Sequence, residues 1–144
     1  MCRLRASGVR PAIAFKGTLM EQLKTYAPLI ARLFLAAMFI PARLGKLGDV
    51  AGFTGYLTSG GLPAFLAWPS ILFEILLGVS MLIGFQARIM GLLGAGFCVL
   101  AALLYHFAPA DQMQMMIFFK NLGVAAAFLM IFAHGAGKLA LDKA

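Results

Sequence analysis

Residues 62–85 read LPAFLAWPSILFEILLGVSMLIGF, an apolar run with one ionisable side chain, Glu74, near its middle. A helix of about 20 residues crosses the hydrocarbon of a bilayer, so the run is long enough to span. A carboxylate at that depth costs about 2.5–3.5 kcal/mol on insertion scales, and it therefore faces protein or water rather than acyl chains. The run implies a membrane helix and also companions for that helix to face.

The companions are legible on either side. Residues 27–47 form a second apolar run, interrupted by Arg32, Arg43 and Lys46. Residues 89–108 form a third, and residues 113–136 a fourth that contains Lys120. Hydrophobic residues make up 62% of the chain and charged residues 12%, where a soluble domain carries about 25% charged residues. Backbone groups inside a bilayer have to pair within the segment, which favours helices. The expectation is one all-α domain, an integral membrane four-helix bundle.

The net charge of +7 does not indicate a nucleic-acid partner. Arg3, Arg5, Arg10, Lys16 and Lys24 precede the first run, and the other basic residues flank or interrupt apolar spans instead of lining a groove with aromatics. That distribution sets topology. The connections at 48–61 and 108–112 hold Asp49 and Asp111 but no lysine or arginine, whereas Arg88, Lys138 and Lys143 join the N-terminal cluster on the other side. Both termini are expected in the cytoplasm, an N-in/C-in arrangement. The chain then divides into a basic cytoplasmic tail (1–24), the four-helix domain (25–137) and a cytoplasmic C-terminal tail (138–144). Residues 1–19 lack periodicity and a continuous apolar core before any cleavage site, which argues against a signal peptide. Met20, which opens MEQLKTYAPLIARLF, is an expected alternative start. The glycine-rich stretch 48–61 reads as a connection ending in the turn at Leu62-Pro63.

Helical spacing sorts the interior faces. Arg32, Phe39, Arg43 and Lys46 share one face of the first helix. Glu74 aligns with Ala67 and Gly78 in the second. Gly91, Ala95, Cys98, Ala102 and His106 form a stripe in the third, and Lys120, Gly123, Ala127, Ile131 and His134 in the fourth. Small residues let membrane helices approach, so each stripe is expected to turn its ionisable group inward. The topology places Arg43, Lys46, Glu74, His106, Lys120 and Asn121 together in the outer half of the bundle, with Arg32 and His134 at the inner end. A structural use is that Glu74 neutralises Arg43 or Lys120 and locks helix order. A binding use is that the surplus positive charge suits an anion, a phosphate head group or the carbonyl oxygens of a quinone.

Other chemistries fit poorly. Thiol–quinone exchange needs paired cysteines, and Cys98 lies alone in mid-helix while Cys2 lies in the tail. His106 and His134 are expected near opposite faces, too far apart to ligate one haem. Glu74 is the sole acid in the spans, so no carboxylate–histidine metal cluster is expected, and three methionines (Met113, Met115, Met116) make a weak copper site. No self-contained catalytic centre is visible.

Three segments resemble one known family. Residues 31–47, ARLFLAAMFIPARLGKL, resemble the first-helix signature of the DoxX family. Residues 74–84, EILLGVSMLIG, resemble its second-helix motif, and residues 120–142, KNLGVAAAFLMIFAHGAGKLALD, its closing motif. Arg43 stands where a glycine is common and Ala140 where a serine is common, and the first departure bears on how closely helix one packs. The resemblance implies a small four-helix protein of the bacterial inner membrane, of a kind described as oxidoreductase or quinol oxidase subunits. Relatives form part of a thiosulfate:quinone oxidoreductase, and another is linked to a membrane complex for redox stress. The resemblance thus implies a membrane subunit that holds a quinone or quinol head group, or anchors a redox partner, without a covalently bound cofactor. The alternative is a small transporter, scaffold or lipid- or anion-binding protein with no redox role. The expected partners are the lipid bilayer, a redox complex or a second copy of the chain.

Overall fold

The computed structural model describes residues 11–142. Those residues form α1 (Pro11–Gly48), α2 (Val50–Ser59), α3 (Ala67–Ile83), α4 (Ala87–Ala101) and α5 (Gln112–His134), with no strand among them. A 3₁₀ turn (Ala64–Leu66) leads into α3, and a π turn (Ala102–His106) extends α4. Four segments have the length and apolarity to cross a membrane: Gly17–Gly48, Ala64–Ile83, Ala87–His106 and Gln112–His134. The four-span, all-α architecture is the one expected from the apolar runs.

Two elements differ from expectation. Of the basic tail, residues 1–10 lie outside the described residues, but α1 already begins at Pro11. Proline suits a first helical position, where its missing N–H is not needed, and the following Met20-Glu21-Gln22-Leu23-Lys24 are good helix formers. The glycine-rich stretch 48–61 is mostly helical as α2. The Asp49 carboxylate accepts the Gly52 N–H at 2.8 Å and caps the helix. Phe53 and Leu57, one turn apart, then bury against Ala67 and Ile71 of α3. Tertiary burial outweighs the poor helix propensity of the glycines.

The bundle is built from two tight pairs. α1 packs on α3 and α4 on α5 far more extensively than α1 on α5 or α3 on α4. Gly78 sits where α1 crosses α3, with room for no methyl group: an added Cβ would lie 2.9 Å from Ile40 Cγ1. At Gly91 it would lie 2.8 Å from the Phe128 carbonyl oxygen, so α4 and α5 also meet at backbone distance. Phe39 and Phe128 join the pairs mid-bundle, edge to face with centroids 5.4 Å apart.

At one end the pairs are clasped. Arg32 is fully buried, and its guanidinium donates to the carbonyls of Met81 (3.0 Å), Ala136 (2.7 Å) and Leu139 (3.0 Å). Carbonyls at and beyond helix C-termini lack helical partners, and a cation there also meets the negative end of the helix dipole. Gly84 holds φ at 68°, a left-handed conformation, and a side chain there would collide with the Arg32 guanidinium. Residues 138–142 return under the bundle. The amides of Leu141 and Asp142 donate to the carbonyls of Ile83 (3.1 Å) and Gly84 (2.9 Å). The Asp142 carboxylate accepts the N–H groups of Gln86 and Ala87 at 2.7 Å each and caps α4, whose own N-cap residue, Gln86, offers no side-chain cap.

Replacing Arg32 by Met removes the donors for three carbonyls at once. Arg32→Met is expected to lower stability by about 3 kcal/mol in an SDS unfolding titration. It should also speed tryptic cleavage at Lys138, because the segment after α5 loses its tether.

Candidate functional site

The opposite end of the bundle is not clasped. Between the two helix pairs lies a cavity of about 320 Å³, within the range of small-molecule sites. Arg43 and Lys46 reach it from α1, Glu74 from α3, His106 from the π turn, and Lys120 and Asn121 from α5. The six polar residues that span topology groups in the outer half of the bundle line one space.

They are not all in mutual contact. Glu74 is the hub, only 2% exposed. Its Oε2 lies 2.6 Å from Arg43 Nε and 3.0 Å from Lys46 Nζ, and Lys46 Nζ also reaches Oε1 at 3.3 Å. The Arg43 contact is a close ion pair rather than an aligned hydrogen bond. Both cations also lie over aromatic rings, Arg43 over Phe39 at 4.9 Å and Lys46 over Phe53 at 3.9 Å. In a low-dielectric interior a carboxylate held between two cations is neutralised within the fold. The structural use of Glu74 is therefore met by Arg43 and Lys46 and does not involve Lys120.

His106 belongs to a second group. Its Nδ1 lies 2.8 Å from Gln114 Oε1, which accepts, and its Nε2 lies 3.4 Å from the Tyr56 hydroxyl, a long contact in which Tyr56 donates. Tyr56 stacks on Tyr105 with centroids 4.7 Å apart, and the Tyr105 hydroxyl donates to the Leu57 carbonyl at 2.9 Å. Partial burial, and then the neighbouring Tyr105, pushes the Tyr56 hydroxyl above the ordinary tyrosine value, so it stays a donor. These bonds lay α2 over the end of the cavity. Gly60 makes the stack possible, because any Cβ there would enter the Tyr105 ring.

The fourth-helix stripe is corrected. The buried face of α5 is Phe118, Ala125, Phe128 and Ile131. Gly123 faces open space, and Lys120 and His134 are exposed at the bundle surface. The large rings of Phe118 and Phe128 take the interior, which rotates Lys120 to the rim of the cavity. Lys120 has no ion-pair or hydrogen-bond partner among the described residues. His134 lies roughly 30 Å along α5 from Gln114, the partner of His106. Among the described residues, no group of three or more His, Cys, Asp or Glu is placed to hold a metal.

Helical spacing does not single out Tyr56, Tyr105 or Gln114. Tyr56 lies in the glycine-rich stretch 48–61, whose composition favours a connection. Tyr105 reaches the site because the π turn shifts the helical phase after Ala101. The one available signal for α2 was Asp49 followed by Phe53 and Leu57 at helical spacing.

Replacing Glu74 by Gln leaves Arg43 and Lys46 side by side without a counter-charge. Glu74→Gln is expected to cost about 3 kcal/mol in reversible unfolding, and Arg43→Leu clearly less because Lys46 still pairs with Glu74. Gly60→Ala is expected to unstack the tyrosines, at a cost of about 1–3 kcal/mol, read from the near-UV tyrosine signal and the same titration.

The DoxX family model matches residues 27–107 of the chain. The inner membrane protein YqjF of Escherichia coli (strain K12) is 34% identical over 124 residues, covering 86% of this chain and 95% of that protein. The inner membrane protein YphA of the same organism is 27% identical over 122 residues, covering 80% and 87%. No solved structure matches the chain. A family match over more than half the chain, a relative aligned almost end to end, and four membrane-spanning helices lead to one conclusion: the chain is a multi-pass inner-membrane protein that belongs to the DoxX family.

Proposed function

We propose that the chain is a membrane subunit of a quinone-linked oxidoreductase complex, and that its cavity holds the quinone or quinol head group. The observation that carries this reading is the make-up of the cavity wall. Apolar side chains, among them Phe39, Phe53, Leu57 and Phe97, enclose a space into which Lys120, Asn121, His106 and Tyr56 bring polar groups. A planar ring with two carbonyl oxygens needs apolar faces and a few donors at its edge. The Lys120 ammonium and the Asn121 amide supply donors from α5.

A bound quinone supplies a couple that carries two electrons and two protons. The chain's own residues hold the ring, exclude water beneath α2, and present the polar groups of His106 and Lys120 to its edge. Electrons reach the site from a partner subunit in this reading. With both termini in the cytoplasm, as the lysine and arginine distribution implies, the cavity faces the periplasmic half of the bilayer.

Titration of the purified protein with decylubiquinone tests the proposal. Saturable binding is expected, weakened about tenfold by Lys120→Met. The readout is the heat of binding by isothermal titration calorimetry in neutral detergent. Absence of saturable binding, or binding indifferent to Lys120→Met, would remove the reading.

A further inference from the structure

The cavity carries more positive charge than its walls neutralise. Arg43, Lys46 and Lys120 face it with one carboxylate, Glu74, a formal surplus of two positive charges when His106 is neutral. Glu74 is shared between Arg43 and Lys46, and Lys120 has no counter-charge among the described residues. Lys120 sits roughly 12 Å along α5 from Gln112, within a membrane-spanning segment. An ammonium at such a place is normally paired or bathed in water, and an unpaired one marks a ligand position.

The surroundings also show how a ligand arrives. α2 covers the end of the cavity through the Tyr56–Tyr105 stack and the bond from Tyr105 to Leu57. The sides are less closed, because α1 and α5 pack sparsely along their seam. Met38 of α1 and Lys120 of α5 both line the cavity and both remain exposed.

We infer that the cavity takes its ligand as an anion: an amphiphile whose acidic head group pairs with Lys120 and whose apolar chain leaves through the seam between α1 and α5. The inference deepens the head-group reading by naming the charge of the ligand. Under it, an ionised hydroxyquinone is preferred to a neutral quinone of the same size. Other acidic amphiphiles share the recognising chemistry, and the test separates them.

The experiment compares three probes on the purified full-length protein in neutral detergent. They are a hydroxy-alkyl-naphthoquinone, whose ring hydroxyl is ionised at neutral pH, its neutral O-methyl ether, and laurate. The hydroxyquinone is expected to bind at least about tenfold more tightly than its ether. Lys120→Met should abolish that preference by weakening the hydroxyquinone at least about tenfold more than the ether, and Lys120→Arg should restore it. The side chain of Lys120 is exposed and unpaired, so both variants are expected to fold, as checked by an unchanged unfolding midpoint. Equal affinity for hydroxyquinone and ether, or a preference that survives Lys120→Met, would overturn the inference and leave the quinone reading standing. Tight, Lys120-dependent binding of laurate with no binding of either naphthoquinone would support the anionic ligand and overturn the quinone.

Discussion

Glu74 is a carboxylate within a membrane helix, and lipid cannot neutralise it. Arg43 and Lys46 do so from α1, and that requirement sets the register of α1 against α3. Two cations on one acid also means that the pair cannot slide by a turn without exposing a charge to hydrocarbon. Gly78, one turn beyond Glu74, brings the helices close enough for the contact. The tight α1–α3 pair follows from this interaction, and the α4–α5 pair meets it across the Phe39–Phe128 contact.

The two ends of the bundle then solve different problems. At the Arg32 end, the helix termini and the segment after α5 expose carbonyls and amides, and one buried guanidinium with one carboxylate, Asp142, takes up five of them. That end is tied together by these bonds. At the Glu74 end the helix pairs part, and polar groups from both pairs line a space. The ionisable residues of the spans therefore fall into two classes. Arg32 completes the fold, whereas Lys120 makes no contact that the fold needs.

Family membership and architecture agree with this division. The matched region, residues 27–107, contains Arg32, Arg43, Lys46, Glu74 and His106, and so includes both the clasp and much of the cavity wall. A cavity between paired helices, closed at one end by a short helix, suits a ligand that dissolves in the bilayer. The chemistry at its rim is cationic and donor-rich, and these properties guide both the quinone reading and the anionic form of the ligand.

Much of this was legible in the residues themselves. Four apolar runs of spanning length can only be helices in a bilayer, because the backbone must pair locally. Charges within those runs were expected to face inward, and helical phase together with the direction of each span grouped Arg43, Lys46, Glu74 and His106. What the tertiary structure decided is where phase and propensity are overridden. Burial of Phe53 and Leu57 makes a helix of a glycine-rich stretch, the π turn re-aims Tyr105, and Phe118 and Phe128 displace Lys120 to the rim. Asp142 caps a helix that begins far upstream of it in the chain. Such outcomes depend on contacts between residues distant in sequence, and local periodicity carries no record of those contacts.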